Sequence, residues 1–503
     1  MRSKKTVINT IMSLLEELVA IVSGFILPRL ILSFFGSQYN GLTTSITQFL
    51  ACSVLLRAGI GGATRAALYK PLAEKDKSQV DSIVKATNIF MQKIAGILII
   101  AIIAFAAIYP FLIRNKFGWF FTFSLFVIIG ASTFAESFFG ITYLIVLQAD
   151  QRLWFSSMLK IVCYVINTIL TVVLMHLGCS LHLVKLGSAS IFVIYPILLK
   201  LYVVKHYNID KNVEPNNIAI KQRWDAFWQQ LAVFVMNNSG IIVLTIFSDM
   251  LEVSVYSVYN LVASGLKRLV TAFTNGLEAA FGNMIARNES KTLEENFRVI
   301  EWLMFSVSTI VYTAAALLIL DFVRVYTFGI EDVDYIRPVF AYILILSQYF
   351  NGVRLPYQLV VQAAGHYKQT KKGAIAEPII SLLCSILLVI PFGITGVAMG
   401  MLIGTVFRTI QYSVYMSKNL IHRNVCNTLI HCICSCVECI SISLLVNMIP
   451  FGETIGFLAW ILKAIVISVI SAMVVFLYSV LFYKKEVSEC IKKMKNVVKT
   501  ISH

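Results

Sequence analysis

The sequence predicts an all-α polytopic membrane protein with about fourteen transmembrane helices. They form two six-helix lobes related by a pseudo-two-fold axis along the membrane normal, with two further helices at the C-terminus. Three observations carry this. The 503 residues are 58% hydrophobic and 14% charged, with a mean hydropathy of +0.80, whereas about a quarter of a soluble domain's residues are charged. Apolar stretches of the roughly 20 residues that a spanning helix needs recur with short gaps between them. The second half also echoes the first: FAESFFGITYLIVLQADQ returns as YFNGVRLPYQLVVQAAGH, with Tyr143 and Gln148-Ala149 opposite Tyr357 and Gln362-Ala363.

In order, the apolar stretches cover 7–34, 40–63, 88–113, 119–147, 153–177, 183–204 and 226–247, then 253–284, 299–320, 338–363, 373–391, 394–416, 426–449 and 455–482. The first runs on too long for a signal peptide and lacks a small-residue cleavage site, so it is expected to be retained. The repeat offset spans six helices, which gives both repeats the same orientation and predicts an N-lobe over 1–206 and a C-lobe over 223–420. A cytoplasmic linker over 207–222 joins them. Two helices follow over 421–483, and a basic cytoplasmic tail over 484–503 ends the chain.

Charge fixes the orientation. With the N-terminus inside, the inner gaps hold runs such as Arg65, Lys70, Lys75, Lys77 and Lys85, or Lys484, Lys485, Lys492 and Lys493. The outer gaps hold Arg114, Lys116, Arg324 and Arg337 beside Glu331, Asp332 and Asp334. This asymmetry places both termini in the cytoplasm. The net charge of +16 therefore reads as membrane topology, not as a nucleic-acid footprint, and the tail is expected to lie on anionic lipid headgroups.

Two polar stripes interrupt the apolar helices. Ser257, Asn260, Ser264, Lys267, Thr271, Asn275 and Glu278 recur at steps of three and four, as do Ser347, Asn351, Arg354, Gln358 and Gln362. Each set falls on one helical face. Single hydroxyls and amides there could be interhelical glue, but stripes containing Lys267 and Arg354 point to a hydrated cavity, because one central charge costs about 2.5–3.5 kcal/mol in lipid. Arg29 after Pro28, Arg57, Arg268 and Arg408 add to the buried bases. An excess of positive charge suits an anionic cargo, and arginine's planar fork matches phosphate oxygens. Any one base could instead be neutralised by Glu16, Glu17, Glu136, Glu278 or Glu377.

Several function classes are disfavoured. The sequence has no GxxxxGK[ST] loop for ATP and no HExxH motif. Cys432, Cys434, Cys436 and Cys439 follow His431, but on one helix Cys434 points away from the other three, so packing is favoured over a metal site. No metal or cofactor is expected. The outer loops are too short to build an extracellular active site, which weighs against a membrane polysaccharide polymerase and favours a transporter over an enzyme.

LLRAGIGGATRAALYKPLAEKD (55–76), the preceding FFGSQYNGL and GVAMGMLIGTVFR (396–408) resemble Wzx-type polysaccharide flippases of the multidrug/oligosaccharidyl-lipid/polysaccharide exporter superfamily. The resemblance implies a two-lobed transporter in the bacterial inner membrane. It would flip undecaprenyl-pyrophosphate-linked oligosaccharide for capsule, O-antigen or exopolysaccharide assembly, by alternating access through a cationic cavity. That role falls on Arg29, Lys267, Arg268 and Arg354, with Asn260, Asn275, Asn351 and Gln358 as amide partners for sugar and phosphate. Glu278 and Glu377 are the candidate coupling residues for H+ or Na+. Where relatives commonly carry an acid, this chain has Arg57. The family default is a monomer, with polysaccharide polymerase machinery as a candidate associate. Two alternatives share the architecture, a lipid II flippase and a multidrug cation antiporter. The antiporter would want an acidic cavity and twelve helices.

Overall fold

A computed structural model describes residues 2–53, 60–113, 117–210, 213–215, 223–274, 277–452, 454 and 456–501; side chains at 2–7, 60, 62, 63, 66, 223–233, 236, 279 and 493–501 are not described. Arg57 and Asn275 lie outside the described residues, as do Arg114 and Lys116. The described chain is helical throughout, with no strand among the described residues. It contains α1 (Arg2–Phe35), α2 (Ser37–Leu50), α3 (Ile60–Glu74), α4 (Lys77–Leu112), α5 (Trp119–Ala149), α6 (Leu153–His176), α7 (Leu181–Tyr207) and α8 (Arg223–Phe247). The remainder forms α9 (Met250–Ala272), α10 (Leu277–Ala286), α11 (Ser290–Tyr326), α12 (Pro338–Ala363), α13 (Tyr367–Asn419), α14 (Cys426–Asn447), α15 (Gly456–Phe482) and α16 (Lys484–Ile501).

Nine of the described helices are long and apolar enough to cross a membrane. The expected count of about fourteen is higher for local reasons. α13 joins two expected spans in one helical run, and α9 and α12, which carry the polar stripes, are not among the nine. The expected second span passes through residues outside the description, and of the seventh only Asn237–Phe247 is found, shorter than a crossing needs. Large apolar side chains face outward along the spans: Ile100 and Phe111 on α4 are 70% and 80% exposed, and Leu458 and Phe476 on α15 are 73% and 63% exposed. A soluble protein rarely shows contiguous apolar surface of this extent, and here the lipid covers it. The molecule is a multi-pass membrane protein.

The chain divides into two compact units, Met1–Val255 and Tyr256–His503. In the first, Leu68, Val80, Val84, Tyr143, Val146, Leu199 and Val203 form a core joining α3, α4, α5 and α7. Asp76 caps α4 by accepting from the Gln79 amide at 3.1 Å, and Asn208 closes α7 in the left-handed conformation with φ 49°. α5 carries one π-helical turn at Glu136–Gly140. Its polar pairs tie helices together: Lys160 on α6 meets Glu16 on α1 at 3.0 Å, and Tyr109 donates to Ser45 at 2.7 Å.

In the second unit α11 is the central post. Phe297, Phe305, Val353, Tyr357, Val360 and Met416 pack α11, α12 and α13 at one end. Ala314, Leu318, Ile442, Val446, Ile467 and Val474 bind α14 and α15 to its other end. α16 follows α15 directly. Among its described side chains, Val487, Cys490 and Ile491 fall on one face of it, and Lys485 and Lys492 fall on the other.

Candidate functional site

The polar centre of the second unit is built by a reversal in α13. Gly393 has φ 56° and ψ −135°, a conformation that L side chains resist and glycine adopts freely. The chain folds back there into two antiparallel arms, 367–392 and 394–419. Gly396, Gly400 and Gly404 follow at intervals of four and form a side-chain-free seam. A Cβ on Gly400 would collide with Ser385, and one on Gly404 would lie 2.8 Å from the Ser381 Cβ. Close backbone approach over small residues is how helices associate in lipid, and Ser385 Oγ donates to the Val397 carbonyl at 3.1 Å across the seam. Continuing the register one turn brings Arg408 on the second arm against Glu377 on the first.

α12 completes the cluster. It is fastened to the second arm by Ser347 Oγ and Thr405 Oγ1 at 3.4 Å and by Thr409 Oγ1 donating to the Phe350 carbonyl at 3.2 Å. Arg354 Nη1 donates to Glu377 Oε1, and Arg354 Nη2 donates to Asn351 Oδ1 at 2.6 Å. Glu377 Oε2 lies 3.7 Å from Arg408 Nε. Both terminal nitrogens of Arg408 are otherwise engaged. It donates to the Thr370 carbonyl at 3.2 Å, to Gln411 and to the Tyr412 hydroxyl at 2.6 Å, and its guanidinium lies 3.9 Å from the Tyr412 ring centre. Two arginines thus share one carboxylate. Arg354 Nε is buried with no hydrogen-bond partner among the described residues.

Of the residues singled out in the sequence, the structure brings Asn351, Arg354, Glu377 and Arg408 together, and Lys267 on α9 lies within electrostatic reach of Arg354 and Glu377. Gln358 is half-buried one turn beyond Arg354, Asn260 is half-buried on α9, and Lys267 and Arg268 are exposed on the protein surface. The α9 stripe does not run unbroken to Glu278. The helix ends at Ala272, where the Thr274 amide and hydroxyl both bond the Thr271 carbonyl. Glu278 starts α10, exposed and beside Tyr367. Arg29 belongs to the first unit, half-buried on α1.

A second polar network went unread in the sequence. Glu301 on α11 is 1% exposed and accepts both terminal nitrogens of Arg423, from the link between α13 and α14. Tyr357 donates to the same carboxylate and lies 3.1 Å from Thr428 Oγ1. Burial disfavours the Arg423 cation, and the Glu301 carboxylate more than offsets this, holding the guanidinium above its ordinary pKa. His431 stands 3.7 Å from Glu301 and stacks on Phe305 and Tyr483. The signal was a single acid just inside an apolar run, which needs a partner there. Among the cysteines after it, Cys439 Sγ contacts Thr313 Oγ1 at 2.9 Å.

No family model matches the sequence, and no curated protein matches it. Solved structures do. The lipid II flippase MurJ in an inward closed conformation superposes with a TM-score of 0.68 at 14% identity, over 96% of this chain and 100% of that one. The chain carries the two-lobed fold of MurJ and the MATE transporters. An inward-facing multidrug resistance MATE transporter of the MOP superfamily gives 0.59 at 15% identity, over 80% and 93% of the two chains. The MATE multidrug transporter DinF-BH gives 0.56 at 18%, over 81% and 94%. At these identities the likeness is one of fold.

Proposed function

We propose that this chain is a flippase for undecaprenyl-diphosphate-linked oligosaccharide, carrying repeat units across the bacterial inner membrane by alternating access for capsule, O-antigen or exopolysaccharide assembly. The observation that carries the proposal is the placement of Arg354, flanked by Asn351 and Gln358, inside a membrane-spanning helical unit. A diphosphate cannot enter hydrocarbon unaided, because removing one ion from water costs several kcal/mol even in relaxed protein. A guanidinium with neighbouring amides replaces that hydration, while the polyprenyl tail stays in lipid. Lys267, Arg268, Asn260 and Asn275 would supply further contacts to phosphate and sugar, and Arg29 on α1 is a candidate anion contact of the first unit. Glu278 and Glu377 are the carboxylates available to H+ or Na+.

A second reading, lipid II as cargo, draws support from the MurJ superposition, which takes in 96% of this chain against 80% for the first MATE structure. Both cargoes present a diphosphate on a polyprenol, so the same site serves either. The basic cluster speaks against a cationic drug.

The test is genetic and biochemical. In a strain dependent on this protein, Arg354→Ala should stop surface glycan and leave the lipid-linked precursor in the inner leaflet. Normal surface polymer from a protein carrying Arg354→Ala, Lys267→Ala and Arg268→Ala together would overturn the proposal. Whether the accumulating precursor carries a repeat unit or a peptidoglycan monomer distinguishes the two cargoes.

A further inference from the structure

We propose that Glu377 is a built-in competitor, a carboxylate that occupies the cargo phosphate's place on Arg354 and so makes the site select diphosphates over singly charged anions. The inference rests on the anion-site reading above. Its grounds are the unequal surroundings of the two arginines that Glu377 bridges. The Arg408 side chain is 4% exposed, and its nitrogens are taken up by Thr370, Gln411 and Tyr412. The Arg354 side chain is 13% exposed, is held by Asn351 on one side and Glu377 on the other, and has a spare Nε donor. Arg354 is therefore the arginine with donors to offer, and Arg408 is a fixed post.

The two carboxylate oxygens are divided between them, Oε1 on Arg354 and Oε2 3.7 Å from Arg408 Nε. Glu377 can let go of Arg354 and close onto Arg408 without being left as a buried unpaired charge, the outcome that makes breaking such pairs expensive. Binding is then an exchange. A monoanion arriving at Arg354 displaces one negative charge with one negative charge and gains little. A diphosphate brings more than one charge and more acceptor oxygens, enough for the terminal nitrogens and Nε together. Asn351 keeps the guanidinium plane in position during the exchange.

The experiment uses the full-length protein in nanodiscs of neutral lipid, with farnesyl diphosphate and the methyl diester of farnesyl monophosphate, which carries a single charge, as probes and apparent Kd as the readout. Wild type should prefer the diphosphate by about tenfold or more, an exchange of unequal charges. Glu377→Gln should bind both probes more tightly, with the monophosphate gaining about tenfold and the preference shrinking to about threefold or less. Arg354→Ala should lose about tenfold or more for both. If Glu377→Gln leaves both affinities and their ratio unchanged while Arg354→Ala loses binding, the competitor role is wrong and the anion site stands. If Arg354→Ala binds like wild type, the anion site itself is wrong. Should Glu377→Gln be recovered unfolded, Glu377→Asp retains the charge but withdraws it by one methylene. Monophosphate affinity should then rise about threefold, and an unchanged value overturns the proposal equally.

Discussion

Glu301 and Arg423 carry the larger structural burden among the charged side chains of the second unit. The Arg423 side chain is 6% exposed and Glu301 1%, so removing either leaves a buried charge without its partner, at a cost of about 3–5 kcal/mol. Arg423→Ala should therefore lower the thermal midpoint of the purified protein sharply in detergent, and Arg423→Lys should recover only part of the loss, since an ammonium cannot make the two parallel bonds. Tyr357→Phe removes one donor from the same carboxylate and should cost about 1–3 kcal/mol; a midpoint equal to wild type would show that the hydroxyl is replaceable. These residues differ in how visible they were. Arg354 stood out because it recurs in step with Ser347, Asn351 and Gln358. Glu301 belongs to no stripe, and its partner is 122 residues away, a separation that no local pattern reports.

For the helices, periodicity and length were enough to place most boundaries, because a spanning helix must satisfy its backbone internally and so declares itself by length. The two spans expected at 373–391 and 394–416 meet at Gly393, and the glycines that let them close, Gly396, Gly400 and Gly404, are spaced at one residue in four. Gly400→Leu would force the arms apart against Ser385, and Gly393→Ala would place a Cβ in a conformation costing about 1–2 kcal/mol. Both should reduce stability in detergent. Gly400→Leu should also abolish transport, since it pulls Arg408 away from Glu377; full transport by Gly400→Leu would show that the seam does not position the cluster. The break after Ala272 was not legible: the stripe from Ser257 to Glu278 keeps helical phase across it, and hydrophobic phase carries no information about where backbone bonds stop.

At the scale of the whole chain, composition and the internal repeat sufficed for a multi-pass protein with a two-lobed fold, and the cargo depends on side chains that composition does not describe. The basic residues in alternate gaps predict that reporter fusions at residue 1 and residue 503 are both active in the cytoplasm; an external signal from either would reverse the assignment of every gap. The Gly393 hairpin also divides the cluster by origin. Its two arms, seated along a glycine seam, hold Glu377 and Arg408 at matching heights, whereas Arg354 comes from α12, which is fastened to the second arm at Thr405 and Thr409. A substitution that loosens those two fastenings therefore reaches the Arg354 contact of the carboxylate first and leaves its Arg408 contact within the hairpin.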